Sequence, residues 1–335
     1  MVLPVFLVLA SAILSVAFPL ATYTFTLAVF GFAHVATELR YINNRFNRRL
    51  NSDLHFQIIQ LLLIIFLLRV LQVCGIVSSL ICILLELSCV IGLIILVIPT
   101  LINKNWLFGT CGIILCIALM IGVYMAPTLT LLLFAVLHNI TPVGFIAEKL
   151  RGIERNRAII ACFIVFFLIP LIIVSGLPYK LFSSINFISL EASLIQAGGL
   201  ENNLAAYIPK QMHNQKIAID AFSAAVFLQC MHYAVVIGIL NKWNNHSQLI
   251  KANNPQKHQK LFSLLTILIS TLLFFGFVNS FAKTRAIYGI VAAIHAWIEI
   301  PILLLSLVPN HFQEKNIKPA TNEAILAIKD INKPC

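Results

Sequence analysis

Apolar runs long enough to cross a hydrocarbon core of about 30 Å recur from one end of this chain to the other, and nothing else in it restricts the fold so severely. Lipid offers no water to satisfy backbone N–H and C=O groups, so only helices or a closed barrel can carry such runs across. A barrel strand alternates apolar and polar residues, and unbroken runs such as Leu61 to Leu68 lack that alternation. The sequence therefore predicts an all-α, polytopic transmembrane helix bundle of about ten spans, at 2–18, 20–40, 55–77, 79–100, 106–125, 127–147, 158–177, 220–242, 261–281 and 285–308. Composition excludes a soluble globule: of 335 residues 60% are hydrophobic and 10% charged, too few to cover a water-facing surface.

The first run has no Lys or Arg ahead of it and so lacks the basic start of a secretory signal peptide. It reads as a retained span. Residues 1–312 read as one transmembrane domain and 313–335 as a cytoplasmic tail.

Cytoplasmic loops collect Lys and Arg. The clusters Arg45, Arg48 and Arg49, then Lys149, Arg151, Arg155 and Arg157, then Lys242, Lys251, Lys257 and Lys260, then Lys315 and Lys318 each follow an even-numbered span. Ten spans with both termini in the cytoplasm put every cluster inside, and a chain without organelle-targeting features fits a bacterial inner membrane. The net charge of +11 is then matched by anionic lipid headgroups, and nucleic acid is not an expected partner.

Four histidines lie inside spans: His34, His138, His232 and His295. Ionisable groups at membrane depth are expensive and mark function. In the ten-span topology all four sit on helices running in the same direction, so their depths compare directly. At 1.5 Å per residue, His138 lies about 15 Å before Glu148, His232 about 15 Å before Lys242, His34 about 9 Å before Arg40 and His295 about 20 Å before Pro309. One shared layer in the cytoplasmic half is compatible with those depths. A single intramembrane histidine is more often an interhelical hydrogen-bond partner, but four at one depth favour metal ligands.

Two of them have an acid four residues on, Glu38 after His34 and Glu299 after His295, each on the same helix face. Such a carboxylate either ligates a metal or accepts the proton of an imidazole nitrogen and so fixes its tautomer. A nitrogen-rich site with a carboxylate and an open position favours non-haem Fe(II), with zinc ranked behind it. Haem also ranks behind iron, because one layer of histidines serves one haem at most and leaves two unexplained. The H-E-x-x-H pattern and phosphate-binding glycine loops are absent.

The stretch Gly31-Phe32-Ala33-His34-Val35-Ala36-Thr37-Glu38 is similar to the G-x-P-H-G-x-x-D signature of the Brp/Blh family of membrane-embedded β-carotene dioxygenases. The glycine three before the histidine and an acid four after it coincide. Ala33, Val35 and Glu38 stand where the family has Pro, Gly and Asp. The resemblance implies a catalytic iron held by histidines on several transmembrane helices, with O2 splitting a long polyene inside the bilayer. It implies those roles for His34 and Glu38 and, less directly, for His138, His232 and His295.

The residues together point to a membrane metalloenzyme, a non-haem iron oxygenase or dioxygenase, that oxidises or cleaves a lipophilic isoprenoid or carotenoid-like substrate. The four histidines are its expected metal ligands, and Glu38 and Glu299 its catalytic acids, as ligands or orienting groups. Phe30, Phe32, Tyr233 and Trp297 are candidates to line its pocket. The alternative is a transporter or channel that relays protons or metal ions through the histidines, for which Pro142, Pro170 and Pro301 would interrupt spans. A third reading makes the histidines interhelical glue in a scaffold. Converging nitrogens select the metal site and nitrogens strung along a pore select the relay.

Other intramembrane polar groups have structural readings. Arg69 and Glu86 flank the turn near Ser78 at similar distances and are expected to pair. Arg40 and Arg45 are expected to snorkel to the interface. The cysteines are scattered through apolar spans without a C-x-x-C pattern and read as small hydrophobes. In the long connection at 178–219, Phe187, Leu190, Leu194 and Ile195 recur at helical spacing, which predicts an interfacial helix ended by Gly198 and Gly199.

Overall fold

The computed structural model describes residues 2–46, 50–244 and 255–306. Every regular element among them is helical. In chain order these are α1 (Val2–Ala17), α2 (Pro19–Phe46), α3 (Ser52–Val73), α4 (Ser79–Lys104), α5 (Trp106–Met125), α6 (Pro127–His138) and α7 (Thr141–Lys149). They continue as α8 (Gly152–Phe163), α9 (Ile169–Val174), α10 (Leu177–Ser184), α11 (Leu200–Leu204), α12 (Ile217–Val235), α13 (Pro255–Asn279) and α14 (Phe281–Ser306). A π-helical turn, Ile164–Leu168, joins α8 to α9, and another, Val236–Leu240, extends α12.

Eight helical stretches among the described residues are long and apolar enough to cross a membrane. The pair α6 and α7, bent by 41°, makes a ninth if it is one span, and α1, at the first expected span, is apolar but shorter than the others. The chain is an integral membrane helix bundle with the expected order of spans. Of the basic clusters, Arg48, Arg49, Lys251, Lys315 and Lys318 lie outside the described residues, as does the tail 313–335.

Lipid does not distinguish one apolar helix from another, so small and polar residues decide which helices sit inside. Helix α12 carries Ser223, Ala224, Ala225, Gln229 and His232 and is the most enclosed, with 67% of its best window buried. Helix α13, whose Leu264, Ile267, Leu268, Leu272 and Phe275 face outward, has 6%. Around α12 pack α1, α2 and α9, while α14 packs against α2, α3, α4, α7 and α13. The histidine-bearing helices α2, α12 and α14 therefore form the centre, and α6 closes it beside α4 and α5.

The expected pair forms: Arg69 Nη2 donates to Glu86 Oε1 at 2.9 Å, and Arg69 Nε lies 2.7 Å from Oε2. Trp297 Nε1 also donates to Glu86 Oε1, at 2.6 Å. Arg45 does not snorkel but pairs with Glu148 at 2.9 Å, which ties the end of α2 to that of α7 and puts both at one face of the bundle. Arg40 lies 4.3 Å over the Phe262 ring. Of the prolines, Pro142 and Pro170 begin α7 and α9, and Pro301 sits inside α14.

No helix forms over 187–199. Ser189 N–H donates to the Ala17 carbonyl at 2.8 Å, and Asn203 Nδ2 donates to the carbonyls of Ala197 and Gly199. Side chains satisfy this backbone without helix formation. Gly198 and Gly199 precede a helix instead of ending one, and Glu191 Oε2 accepts the Leu200 N–H at the start of α11.

Candidate metal centre

Each histidine reaches the centre for a local reason. His34 lies on the buried face of α2, and the Tyr288 hydroxyl donates to the Gly31 carbonyl one turn earlier, binding α14 to α2 at this level. His138 is the last residue of α6, where the span breaks before Pro142 and the chain turns. His232 stands in the wholly buried stretch of α12, one turn before the π-helical Val236–Leu240. Such π turns concentrate at functional sites because they redirect the side chains beside them. His295 is on α14, with Glu299 one turn further on.

The four imidazoles converge. Each offers a nitrogen, and these nitrogens all lie within 4.8 Å of one another. Metal–imidazole bonds of about 2.1 Å allow ligand nitrogens up to about 4.2 Å apart, so a small inward movement completes coordination. His34, His232 and His295 are buried, and His138 is 15% exposed along one edge. Carboxylate oxygens of Glu38 and Glu299 form a second group with His295, again within 4.8 Å.

The acids pair across helices, not along them. Glu299 Oε2 accepts from His138 Nδ1 at 2.9 Å, and Glu38 Oε2 lies 3.2 Å from His232 Nε2, off hydrogen-bond direction. His34 Nδ1 faces the Phe30 carbonyl at 3.3 Å. A carbonyl only accepts, so the proton is on Nδ1 and Nε2 of His34 is left with a lone pair for a metal. The same logic at Glu299 leaves His138 Nε2 as its ligand atom.

What remains is a set of buried polar atoms without hydrogen-bond partners: both nitrogens of His232 and of His295, both oxygens of Glu38, and Glu299 Oε1. Orphaned groups at this density are rare in native interiors, and two buried carboxylates this close repel strongly at low dielectric. A divalent cation would relieve much of this, since it takes one lone pair from each imidazole and neutralises the acids. The donor set fits a transition metal bound by imidazole and carboxylate, and the cluster is able to bind a metal ion.

A cavity of about 310 Å³ opens from this cluster and is lined by His34, His138 and His295. Tyr233 stacks on His34 with ring centroids 4.0 Å apart. It also borders a larger apolar hollow of about 790 Å³, between α1, α2 and α12, that carries Phe18, Phe25 and Phe30. Of the expected pocket aromatics, Tyr233 and Trp297 line the cavity beside the histidines, Phe30 lines the second hollow, and Phe32 borders neither.

All six expected site residues come together. The reading of the residues missed the other end of the cavity, where Arg285, Tyr23, Tyr207 and Gln229 gather. A signal for it was present: Gly289, Ala292 and Ala293 leave open the face of α14 between Arg285 and His295, and all three line the cavity. Compared with protein-family profiles, curated proteins and solved structures, the chain matches none.

Proposed function

We propose that the chain is a membrane metalloenzyme that oxidises or cleaves a long lipophilic molecule with O2, at a non-haem iron held by His34, His138, His232 and His295. The observation that carries this reading is the convergence of four intramembrane imidazole nitrogens within 4.8 Å on an apolar cavity. A proton or ion relay needs groups strung along a path, and this arrangement is a point. Four imidazoles this close also leave no slot for a porphyrin ring. The similarity of Gly31–Glu38 to the Brp/Blh signature supports the same chemical class, without assigning carotene as the substrate.

Iron supplies the one-electron chemistry that lets O2 react with a closed-shell double bond. The chain's own residues do the rest. Glu299 holds His138 in one tautomer, and Glu38 and Glu299 balance the ion's charge in a water-poor site. The apolar cavity walls exclude water and align the chain of the substrate. Cleavage breaks one carbon–carbon double bond and places one oxygen atom on each carbon, which consumes O2 whole and needs no external reductant. The hollow beside Tyr233 is the lateral route from lipid. The basic ends of the spans support both termini on the cytoplasmic side, which puts Arg285 toward the outer face.

In nanodiscs, protein loaded with ferrous iron is expected to bleach a conjugated polyene such as parinaric acid only when O2 is present. Mass spectrometry of the products after isotopically labelled O2 should find label in both carbonyl fragments, and His138→Ala should abolish the bleaching. Unlabelled carbonyls, or undiminished bleaching by His138→Ala, would contradict the reading.

A further inference from the structure

The cavity has two guanidinium groups on its wall, and they differ. Arg69 is neutralised by Glu86 at 2.7 Å. Arg285 has no carboxylate partner among the described residues. Its Nη1 reaches two neutral acceptors, Asn203 Oδ1 at 3.1 Å and the Tyr23 hydroxyl at 3.4 Å. Arg285 is the fifth residue of α14, so its charge sits near the positive end of that helix dipole, where a cation is disfavoured. Snorkelling to the headgroups would relieve it, yet the side chain lines the cavity between Tyr23 and α11. The half-buried guanidinium also lies 5.7 Å over the Phe281 ring, and these neutral contacts leave its charge without a balancing carboxylate among the described residues.

The surroundings are built for a polar end group. Tyr207 donates to Gln229 Oε1 at 2.6 Å, and Gln229 Nε2 donates to Thr26 Oγ1 at 3.0 Å. The network places Tyr207 and Gln229 at the same end of the cavity as Arg285. From Arg285 to His295 is ten residues along α14, about 15 Å at helical rise. The wall between them carries the small residues Gly289, Ala292 and Ala293, which leave room for the cavity along α14.

We infer that Arg285 is a head-group subsite that binds the terminal carboxylate of an amphipathic chain, whose apolar body runs along α14 to the four histidines. A fork of N–H donors matches a carboxylate in a way that a hydrocarbon end cannot exploit. The substrate is then a long unsaturated acid, and the carbon presented to the metal site lies about 15 Å from its carboxyl group, by the helical rise between the two residues. This inference rests on the reading of the cavity as the substrate site and is independent of which metal the histidines hold.

The test is binding without O2, so that nothing is consumed. Parinaric acid and its methyl ester are titrated into the full-length protein in nanodiscs, with energy transfer from Trp297, on the cavity wall, to the polyene as the readout and Trp297→Phe as its control. Wild-type protein is expected to bind the acid at least about tenfold more tightly than the ester, the size of a charge-assisted hydrogen bond. Arg285→Leu should bring the two affinities together, and Arg285→Lys should keep part of the preference. Wild-type protein stripped of metal with a chelator should retain the whole preference, which separates failure of the metal reading from failure of the subsite. Equal affinity for acid and ester in the wild type would overturn the inference even if Arg285→Leu cannot be purified, and so would a preference that survives in Arg285→Leu.

Discussion

Glu86→Ala is expected to destabilise the bundle by on the order of 3–5 kcal/mol, the usual penalty for leaving one member of a buried ion pair alone. Glu86 is fully buried and serves two donors on two other helices, Arg69 of α3 and Trp297 of α14. Its loss strands the Arg69 guanidinium and orphans the indole N–H beside the histidine cluster. Thermal melting followed by size-exclusion in detergent measures the effect. Glu86→Gln should recover only the part due to Trp297, because an amide accepts the indole proton but does not neutralise Arg69. Replacing both charges, with Arg69→Met and Glu86→Met, should be milder than Glu86→Ala alone, since the desolvated charge itself is removed. A Glu86→Ala protein that melts like the wild type would show that the pair does not hold α3, α4 and α14 together.

Glu299→Leu is expected to move metal affinity and apoprotein stability in opposite directions. Glu299 orients His138 and lies within 4.8 Å of a Glu38 oxygen and a His295 nitrogen. Removing such a partner weakens metal binding about 10–100-fold. The same change deletes one of two mutually repelling carboxylates, so the metal-free protein should melt higher than the wild type. Residues kept for chemistry show this trade of stability against function. Competition with a chelator gives the affinity, and melting in excess chelator gives the stability. Unchanged affinity, or an apoprotein that melts lower, would make Glu299 a packing residue.

The spans were legible because lipid leaves few alternatives: apolar length, turns and the placement of Lys and Arg locate helices whatever their neighbours do. The six residues that cluster were legible for the same reason, since His34, His138, His232, His295, Glu38 and Glu299 are polar groups where polarity is expensive. Their partners were not. Spacing of four residues put Glu38 with His34 and Glu299 with His295, but rotation of packed helices turns the acids toward His232 and His138, and no single-helix pattern encodes that. Arg45 looked like an interfacial anchor because its partner, Glu148, is 103 residues away. The stretch around Phe187–Ile195 had helical spacing, yet Glu191 and Asn203 hold it as loop by bonding backbone directly. The far end of the cavity escaped because Arg285 on its own is indistinguishable from a snorkelling residue until Asn203 and Tyr23 come up against it.

Elemental analysis of protein purified in detergent without chelator, beside His232→Ala prepared identically, tests the central claim most directly. His232 is fully buried, does not line the cavity and has both nitrogens without a hydrogen-bond partner, so its role is confined to the cluster. The account predicts stoichiometric iron in the wild type and its loss in the variant. Wild-type protein that carries no metal, even after reconstitution with iron or zinc, would contradict it.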